Sequence, residues 1–176
     1  MIISLEPRDI PAAAKAFADG FLHDPVYSHI LQAEPAPYKA LYDFFRAYIS
    51  ECKGLKLYKY GADEGYLVFY FSDEIADWTM ETPLFRRLAR HFILDDHYCD
   101  GYGVLDLMTV RPAYRGKGIA GEMIGFFCTE CEKRNVRPLT EIFDGTHVPL
   151  YAAHGFVPAH RKTVDGVTTY VLEKYR

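Results

Sequence analysis

A glycine-rich turn between an apolar run and an amphipathic run constrains the fold of this 176-residue chain most strongly. Val104–Val110 has the apolar character of a strand, and Gly118–Arg134 carries apolar residues at helical spacing. Between them lies the turn Arg115-Gly116-Lys117-Gly118. Glycines let the backbone turn its N–H groups outward, and a helix N-terminus adds unpaired N–H donors and a positive dipole end. The segment therefore predicts a cradle for a pyrophosphate.

Two other phosphate-binding motifs fit this turn less well. A P-loop needs a Ser or Thr directly after its Gly-Lys pair, and no hydroxyl stands there. The spelling Gly116-x-Gly118-x-x-Gly121 matches the dinucleotide-binding fingerprint, but the chain beyond Leu139 is too short to complete a Rossmann half. A glycine-rich turn that binds nothing is the remaining alternative.

Composition limits the class of protein. Apolar residues make up 49% and charged residues 25%, which excludes a disordered, collagen-like or coiled-coil chain and predicts one domain over residues 1–176. No apolar run approaches the roughly 18 residues of a membrane span, and the first residues do not read as a secretory signal. The net charge of −4 argues against a chain-wide nucleic-acid footprint. We therefore expect a cytoplasmic protein whose cysteines, at positions 52, 99, 128 and 131, are reduced thiols.

Periodicity predicts the remaining helices and strands. The expected strands are Ile2–Leu5, the hairpin Leu55–Tyr60 with Gly65–Phe71, Leu139–Phe143, and a closing hairpin of Phe156–Thr163 with Val167–Glu173 around Asp165-Gly166. The expected helices begin near Ile10 with Asp9 as cap, and cover Tyr38–Cys52, residues 82–94 and Val148–His154, with His23-Asp24-Pro25 as a helix-end turn. Strands alternating with helices between hairpins predict a mixed α/β sheet.

Two short motifs carry a resemblance to a known family. Arg115-x-x-Gly118-x-Ala120, after a strand and before a helix, resembles the acetyl-coenzyme A motif of the GNAT superfamily of N-acetyltransferases. Tyr151-Ala-Ala-His-Gly-Phe156 resembles the family's Tyr-x-x-x-Gly-Phe segment. The resemblance implies an α/β fold with a mixed, mostly antiparallel twisted sheet, flanked by helices and with splayed central strands. It also implies an acetyl-CoA-binding core at 104–156 and an acceptor-side half at 1–100.

The resemblance implies a function as well. It predicts transfer of an acetyl group from acetyl-CoA, a co-substrate, to a primary amine by direct attack, without an acyl-enzyme and without a metal. The acceptor would be a small-molecule or peptide amine, with no nucleic acid and no membrane as partner; a homodimer stays open. A catalytically silent acyl-CoA sensor is the alternative, and a nucleotide-phosphate binder is a third hypothesis.

The family's cofactor contacts can be carried over by position. The strand residues Met108, Thr109 and Val110 would pair with the pantetheine arm. Backbone N–H groups from the turn and helix start would hold the pyrophosphate, namely those of Arg115, Gly116, Lys117, Gly118, Ile119 and Ala120. His147 stands near where many relatives carry an Asn that contacts the cofactor arm. It is interpreted as a hydrogen-bond donor, a base or a helix cap, with no preference among the three.

Three residues are the candidates for catalysis. Tyr151 would donate a proton or hydrogen bond to the departing thiolate, since a phenol has a pKa near ~10; the alternative is that it only packs on Phe156. Asp106 stands inside an apolar strand, where an unpaired charge is costly, and is a candidate general base. Glu141 is the second candidate base. For both carboxylates an ordinary ion pair, for example with Arg111 or Arg137, is the alternative.

Two further patterns favour structural roles. Cys128-x-x-Cys131 is a single pair on a predicted helix, which favours a helix-face coincidence over a metal site. Core packing is also the expectation for a group of aromatic residues that could otherwise line an acceptor pocket, namely Phe44, Phe45, Tyr48, Tyr58 and Tyr70.

Overall fold

The computed structural model describes residues 1–74, 82–94, 97–98 and 100–175. Its strands form one seven-stranded sheet in the order β1-β2-β3-β4-β5-β7-β6. Their bounds are β1 Ile2–Ser4, β2 Lys56–Tyr60, β3 Gly65–Phe71, β4 Tyr102–Val110, β5 Arg137–Ile142, β6 Phe156–Val164 and β7 Val167–Lys174. Neighbouring strands are antiparallel except β4 and β5, which are parallel. The predicted mixed, mostly antiparallel sheet is confirmed.

Helices cover both faces of the sheet. Their bounds are α1 Ile10–Phe21, α2 Pro25–Ile30, α3 Pro37–Glu51, α4 Pro83–Ala89, α5 Ile119–Arg134 and α6 Val148–Ala152. The first four pack on one face around Phe17, Phe45 and Leu88, while α5 and α6 pack on the other around Met123 and Phe127. None of the helices in the described ranges is long and apolar enough to cross a membrane.

One local prediction was incomplete and two were wrong. His23-Asp24-Pro25 does more than end a helix, because the Asp24 carboxylate accepts hydrogen bonds from the N–H groups of Val26 and Tyr27 and so caps α2. Asp9 does not cap α1 with its side chain; it accepts from the Glu6 N–H and pairs with Lys59. The helix predicted at 82–94 ends at Ala89.

The two parallel strands separate in the middle of the sheet. Pairing between β4 and β5 runs only from Tyr102↔Arg137 to Leu105↔Thr140, although β4 continues to Val110 and β5 to Ile142. Beyond Leu105, none of the strands in the described residues lies beside the edge of β4 that faces β5. The predicted splay of the central strands is therefore present, and it leaves a gap in the sheet.

A β-bulge lies at the point of separation. Val68 pairs with Leu107 and Phe69 with Leu105, so Asp106 is an extra residue without a partner on β3. Leu105 packs in the core under α5, whereas Leu107 packs in the core under α1 and α3. The bulge thus reverses the alternation of β4 and turns Asp106 toward α3.

Candidate active site

A cavity of about 1160 Å³ opens at the gap between β4 and β5. At one end it reaches the glycine-rich turn and the start of α5; at the other it reaches the end of α1, the start of α2 and the segment after α4. All of the sequence-predicted site residues except Lys117 line it. Its lining comes from both segments of the chain that the sequence assigns to cofactor and acceptor.

The glycine-rich turn has an open backbone. Gly116 and Gly118 have φ values of 77° and 81°, and a Cβ added to either would meet no atom within 4 Å. No side chain caps the N-terminus of α5, so its first N–H groups point into open space. The Arg115 Nε donates to the Val110 carbonyl at 3.0 Å, which ties the turn to the end of β4, while the Lys117 ammonium lies over the Tyr114 ring. This geometry suits a pyrophosphate.

Gly118→Glu should abolish stabilisation of the fold by coenzyme A, because it places a side chain and a negative charge in the cradle. In the unmodified protein, ligand at 100 times its Kd raises the free energy of unfolding by about 2.7 kcal/mol, visible as a shift in Tm. Gly166→Glu is the matched control, since Gly166 also has a positive φ, 80°, with open space at its Cβ, but lies in the β6–β7 turn. Normal coenzyme A binding by folded Gly118→Glu would refute the cradle.

Asp106 has a phenol as its partner. The Tyr48 hydroxyl donates to the Asp106 Oδ2 at 2.7 Å, and the carboxylate lines the cavity. Burial raises the pKa of Asp106 to about 6, while the hydrogen bond from Tyr48 opposes that rise. The titratable groups facing it are Tyr48 on α3, Cys52 directly after α3, and Tyr27 on α2. The ion pair with Arg111 or Arg137 is not what holds it.

Tyr48→Phe should therefore raise the pKa of Asp106 and move the acidic limb of any rate profile that depends on this carboxylate to higher pH. A hydrogen bond to a charged group is worth ~1.5–3 kcal/mol, which corresponds to a displacement of about one pH unit or more. Tyr66→Phe is the matched control, since the Tyr66 hydroxyl bonds Asp63 at 3.0 Å in the same core. An unmoved limb in Tyr48→Phe would show that the phenol does not tune the carboxylate.

Glu141 holds the segment that follows α4. Its Oε1 accepts a hydrogen bond from the Ile93 N–H at 2.7 Å, and its side chain lines the cavity. Arg137, offered as a partner for it, instead pairs with Glu173 at 3.1 Å. Glu141 and Asp106 therefore each have one carboxylate oxygen engaged, and both stay candidates for the general base.

Tyr151 lies on the α5 side of the gap. The side chain is 5% exposed, its ring stands edge-on to Phe156 at 5.6 Å, and it lines the cavity. Burial raises the pKa of Tyr151 to about 12, and a hydrogen bond with Thr140 offsets part of that rise. The phenol therefore stays protonated at neutral pH. It both packs on Phe156 and faces the cavity, so its catalytic role stays a prediction.

His147 and Asp144 stand at the start of α6. His147 is exposed, lines the cavity and occupies the N-cap position of α6, although its side chain makes no capping hydrogen bond. The Asp144 carboxylate accepts from the Thr146 N–H at 2.9 Å, and the hydrogen bonds from Thr146 and the charge of His147 outweigh burial and lower its pKa. These two residues place a carboxylate and an imidazole at the rim of the cavity.

The aromatic and cysteine predictions have mixed outcomes. Among the aromatic residues expected in the core, only Tyr70 lines the cavity. The α3 side chains of Phe44, Phe45 and Tyr48 are buried in the core, and Tyr58 packs on Phe126. Cys128 and Cys131 are buried in the core under α5 and are free thiols, as is Cys52. Cys99 lies outside the described residues. Within the described part, no group of three or more side chains could hold a metal ion.

Several residues of the site were missed from the sequence. Tyr48 was assigned to the core, although it holds Asp106. Asp24 lines the cavity while it caps α2, and the Asp-Pro pair at the start of an apolar run was the signal that would have revealed that helix. The rings Phe21, Tyr27, Phe85, Phe92 and Phe143 also line the cavity and carry no local signal.

Comparison with known proteins agrees with this geometry. Residues 95–172 match the family model described as an acetyltransferase (GNAT) domain. That range contains the turn, both splayed strands and Tyr151. A comparison with curated protein sequences gives no match.

Solved structures share the fold at low sequence identity. A histone acetyltransferase HPA2 and related acetyltransferase from Corynebacterium glutamicum aligns at TM-score 0.71 and 14% identity, over 99% of this chain and 94% of that one. An N-acetyltransferase from Staphylococcus aureus aligns at 0.66 and 15%, over 98% and 99% of the two chains. The ribosomal-protein-S18-alanine N-acetyltransferase from Escherichia coli aligns at 0.58 and 19%, over 99% and 92%.

The splayed central strands and the open glycine-rich turn both lie within the residues that match the acetyltransferase (GNAT) domain. Residues 95–172 match the GNAT acetyltransferase family to which the two sequence motifs point, and solved structures share the fold over the whole chain.

Proposed function

We propose that this protein transfers an acetyl group from acetyl-CoA to a primary amine by direct attack. The observation that carries the proposal is the gap between β4 and β5, with Asp106 on the α3 side and Tyr151 on the α5 side of one cavity. A base and a hydrogen-bond donor on opposite faces of a gap can act on the two ends of one transfer.

The cofactor would lie along the free edge of β4. Beyond Leu105 that edge has no β-strand partner, so the backbone around Met108, Thr109 and Val110 is available to pair with a pantetheine arm. The turn from Arg115 to Ala120 continues from the end of β4 and offers N–H groups to a pyrophosphate. The lining position of His147 supports a contact with the same arm.

The chemical step would use both faces of the gap. Asp106 removes a proton from the ammonium, the nitrogen attacks the thioester carbonyl, and a C–N bond forms as the C–S bond breaks. A backbone N–H near Met108 would stabilise the charge that develops on the carbonyl oxygen. Tyr151 donates a hydrogen bond to the sulfur, which departs as a thiolate. The thiolate then takes the second proton that the attacking nitrogen loses as the amide forms, which gives the thiol of coenzyme A.

We further propose that residues 1–176 act as one domain in the cytoplasm, with residues 1–100 shaping the acceptor end and residues 104–156 binding acetyl-CoA. One continuous sheet through both segments supports this arrangement. The free thiols at the described cysteines agree with a reducing compartment.

The test is thiol release from acetyl-CoA on addition of primary amines, with mass spectrometry of the acetylated product. Reactions without amine and with Asp106→Asn are the controls. Release that requires both the amine and the intact carboxylate supports the proposal. Stabilisation by coenzyme A without turnover of any amine would instead identify a sensor, and a preference for ATP or NAD in thermal shift would identify a nucleotide binder.

A further inference from the structure

Five aromatic rings form a continuous belt at the end of the cavity away from the glycine-rich turn. In spatial order they are Phe21, Tyr27, Phe143, Phe92 and Phe85, and all of them line the cavity. Neighbouring ring centroids in this order lie 5.3, 5.9, 6.1 and 6.3 Å apart. These are the spacings of mutually packed aromatic side chains. The belt gives this end of the cavity an apolar wall of mutually tilted rings that a planar ring can contact.

Carboxylates stand next to this belt. Asp24 precedes Tyr27 at the start of α2, and burial together with the charge of Asp144 raises its pKa to about 6. The Tyr27 hydroxyl is close enough to both Asp24 and Asp106 that each raises its pKa. Within the described ranges, neither Asp24 nor Asp144 forms an ion pair with a lysine or arginine. The wall therefore carries two carboxylates that no lysine or arginine of the described ranges pairs with.

One lysine lines the same end of the cavity. The Lys162 Nζ donates to the Phe92 carbonyl at 3.1 Å, which ties β6 to the segment after α4. Asp24, Asp106, Glu141 and Asp144 all line the cavity on this side of the gap. The charge balance at the acceptor end therefore favours a cation and disfavours an anion.

We infer that the acceptor is a primary amine carried on an aromatic body and lacking a carboxylate. Its ammonium would lie among the carboxylates beside the Tyr27 hydroxyl, and its ring would pack against the aromatic belt. This inference rests on the proposed function, because it names the acceptor class for that transfer. An α-carboxylate on the same molecule would lie beside the carboxylates of Asp24 and Asp144, and like charges repel.

A set of four amines separates these features. Phenethylamine has both an ammonium and a ring. Phenylalanine adds only a carboxylate, butylamine removes the ring, and spermidine replaces it with further charge. The kcat/KM for acetylation should be at least ~10-fold higher for phenethylamine than for butylamine. The ratio of kcat/KM between phenethylamine and phenylalanine should be larger still. Calorimetric titration of each amine into the protein saturated with coenzyme A measures the same order without turnover.

Variants test which wall makes the contact. Phe92→Leu should raise the KM for phenethylamine by ~3–10-fold, the equivalent of one lost aromatic contact, and leave that for butylamine unchanged. Phe126→Leu is the matched control, because Phe126 packs on Tyr58 and Phe69 outside the cavity. Asp24→Asn keeps a side chain that can cap α2 and removes its charge. It should therefore weaken the binding of every amine and reduce the difference in affinity between phenethylamine and phenylalanine.

The outcomes are distinguishable. If no amine releases thiol but phenethylamine binds best in the titration, the proposed transfer fails and the acceptor class stands as a ligand class. If amines turn over and spermidine or phenylalanine is preferred, the transfer stands and the aromatic-amine inference is wrong. Equal binding of all four probes, or an equal effect of Phe92→Leu on phenethylamine and butylamine, would also overturn it.

Discussion

Asp106→Asn should lower kcat by ~10²–10⁴-fold, the range for loss of a positioned general base. The amine then reaches its reactive form only by losing a proton to solvent. The residual rate should therefore rise continuously with pH toward the amine's own pKa. In the unmodified protein the rate should instead rise through the pKa of Asp106, about 6, and level off above it, because only the ionised carboxylate accepts a proton.

Asp24 requires attention in this experiment, because its pKa is also raised to about 6. Protonation of either carboxylate below about pH 6 would lower kcat/KM. The pH dependence of kcat at saturating amine instead reports only the group that acts in the bound complex. Asp24→Asn should keep the acidic limb of kcat, and Asp106→Asn should lose it. The reverse pattern would assign the base to Asp24, and two variants that both keep the limb would leave Glu141, His147 or a water chain.

Stability gives an independent check on the Asp106 variant. The folded-state pKa of Asp106 lies above its ordinary value of 3.8, so the folded state binds more protons than the unfolded state between pH 3.8 and about 6. The contribution of this carboxylate to stability therefore falls as the pH rises through that window. Asp106→Asn removes this cost, so its Tm at pH 7 should equal or exceed that of the unmodified protein. A loss of activity then reflects chemistry and not unfolding.

Tyr151→Phe should lower kcat by about 10²-fold, the lower end of the range for acid catalysis. The pKa of Tyr151, about 12, lies well above that of a thiol, ~8.5, so hydrogen bonding to the departing sulfur is favoured over complete proton transfer. The substitution removes one oxygen and keeps the ring, so packing against Phe156 should survive. The Kd for acetyl-CoA should hardly change, because its proposed contacts are mostly with backbone.

The Tyr151 prediction concerns chemistry and not product release, so single-turnover measurements decide it. Equal losses in kcat and kcat/KM are expected for an interaction made in the transition state. Tyr60→Phe is a control on the other end of the sheet, where the hydroxyl bonds Glu122. Wild-type single-turnover rates in Tyr151→Phe would show that Tyr151 only packs and that the thiolate leaves without its help.

Local patterns predict most of the architecture. Both hairpins, the α5 helix and the glycine-rich turn depend on neighbouring residues, so their spacing is visible in the sequence. The sequence pattern did not predict helix α2, because six residues give less than two turns of periodicity. The end of α4 was misplaced because apolar residues after Ala89 face the core without continuing the helix.

The site divides along the same line between local and distant contacts. The turn residues and Tyr151 belong to contiguous motifs and could be named from the sequence. Tyr48 could not be paired with Asp106, because 58 residues separate them and the pairing depends on how α3 packs on the sheet. The aromatic belt is likewise assembled from separate segments, so no residue spacing in the sequence predicts it.

Because of the bulge at Asp106, the number of residues in β4 determines which side of the sheet its side chains face. Because alternate residues of a strand face opposite sides, the single extra residue sets which side every later residue of β4 faces. Substitutions at position 106 leave this count unchanged, so they do not alter which side the later residues of β4 face. Loss or gain of one residue between Leu105 and Leu107 would exchange the faces of Met108 and Thr109. In the divergence of such sequences, insertions and deletions should therefore accumulate in the loops and be excluded from this strand.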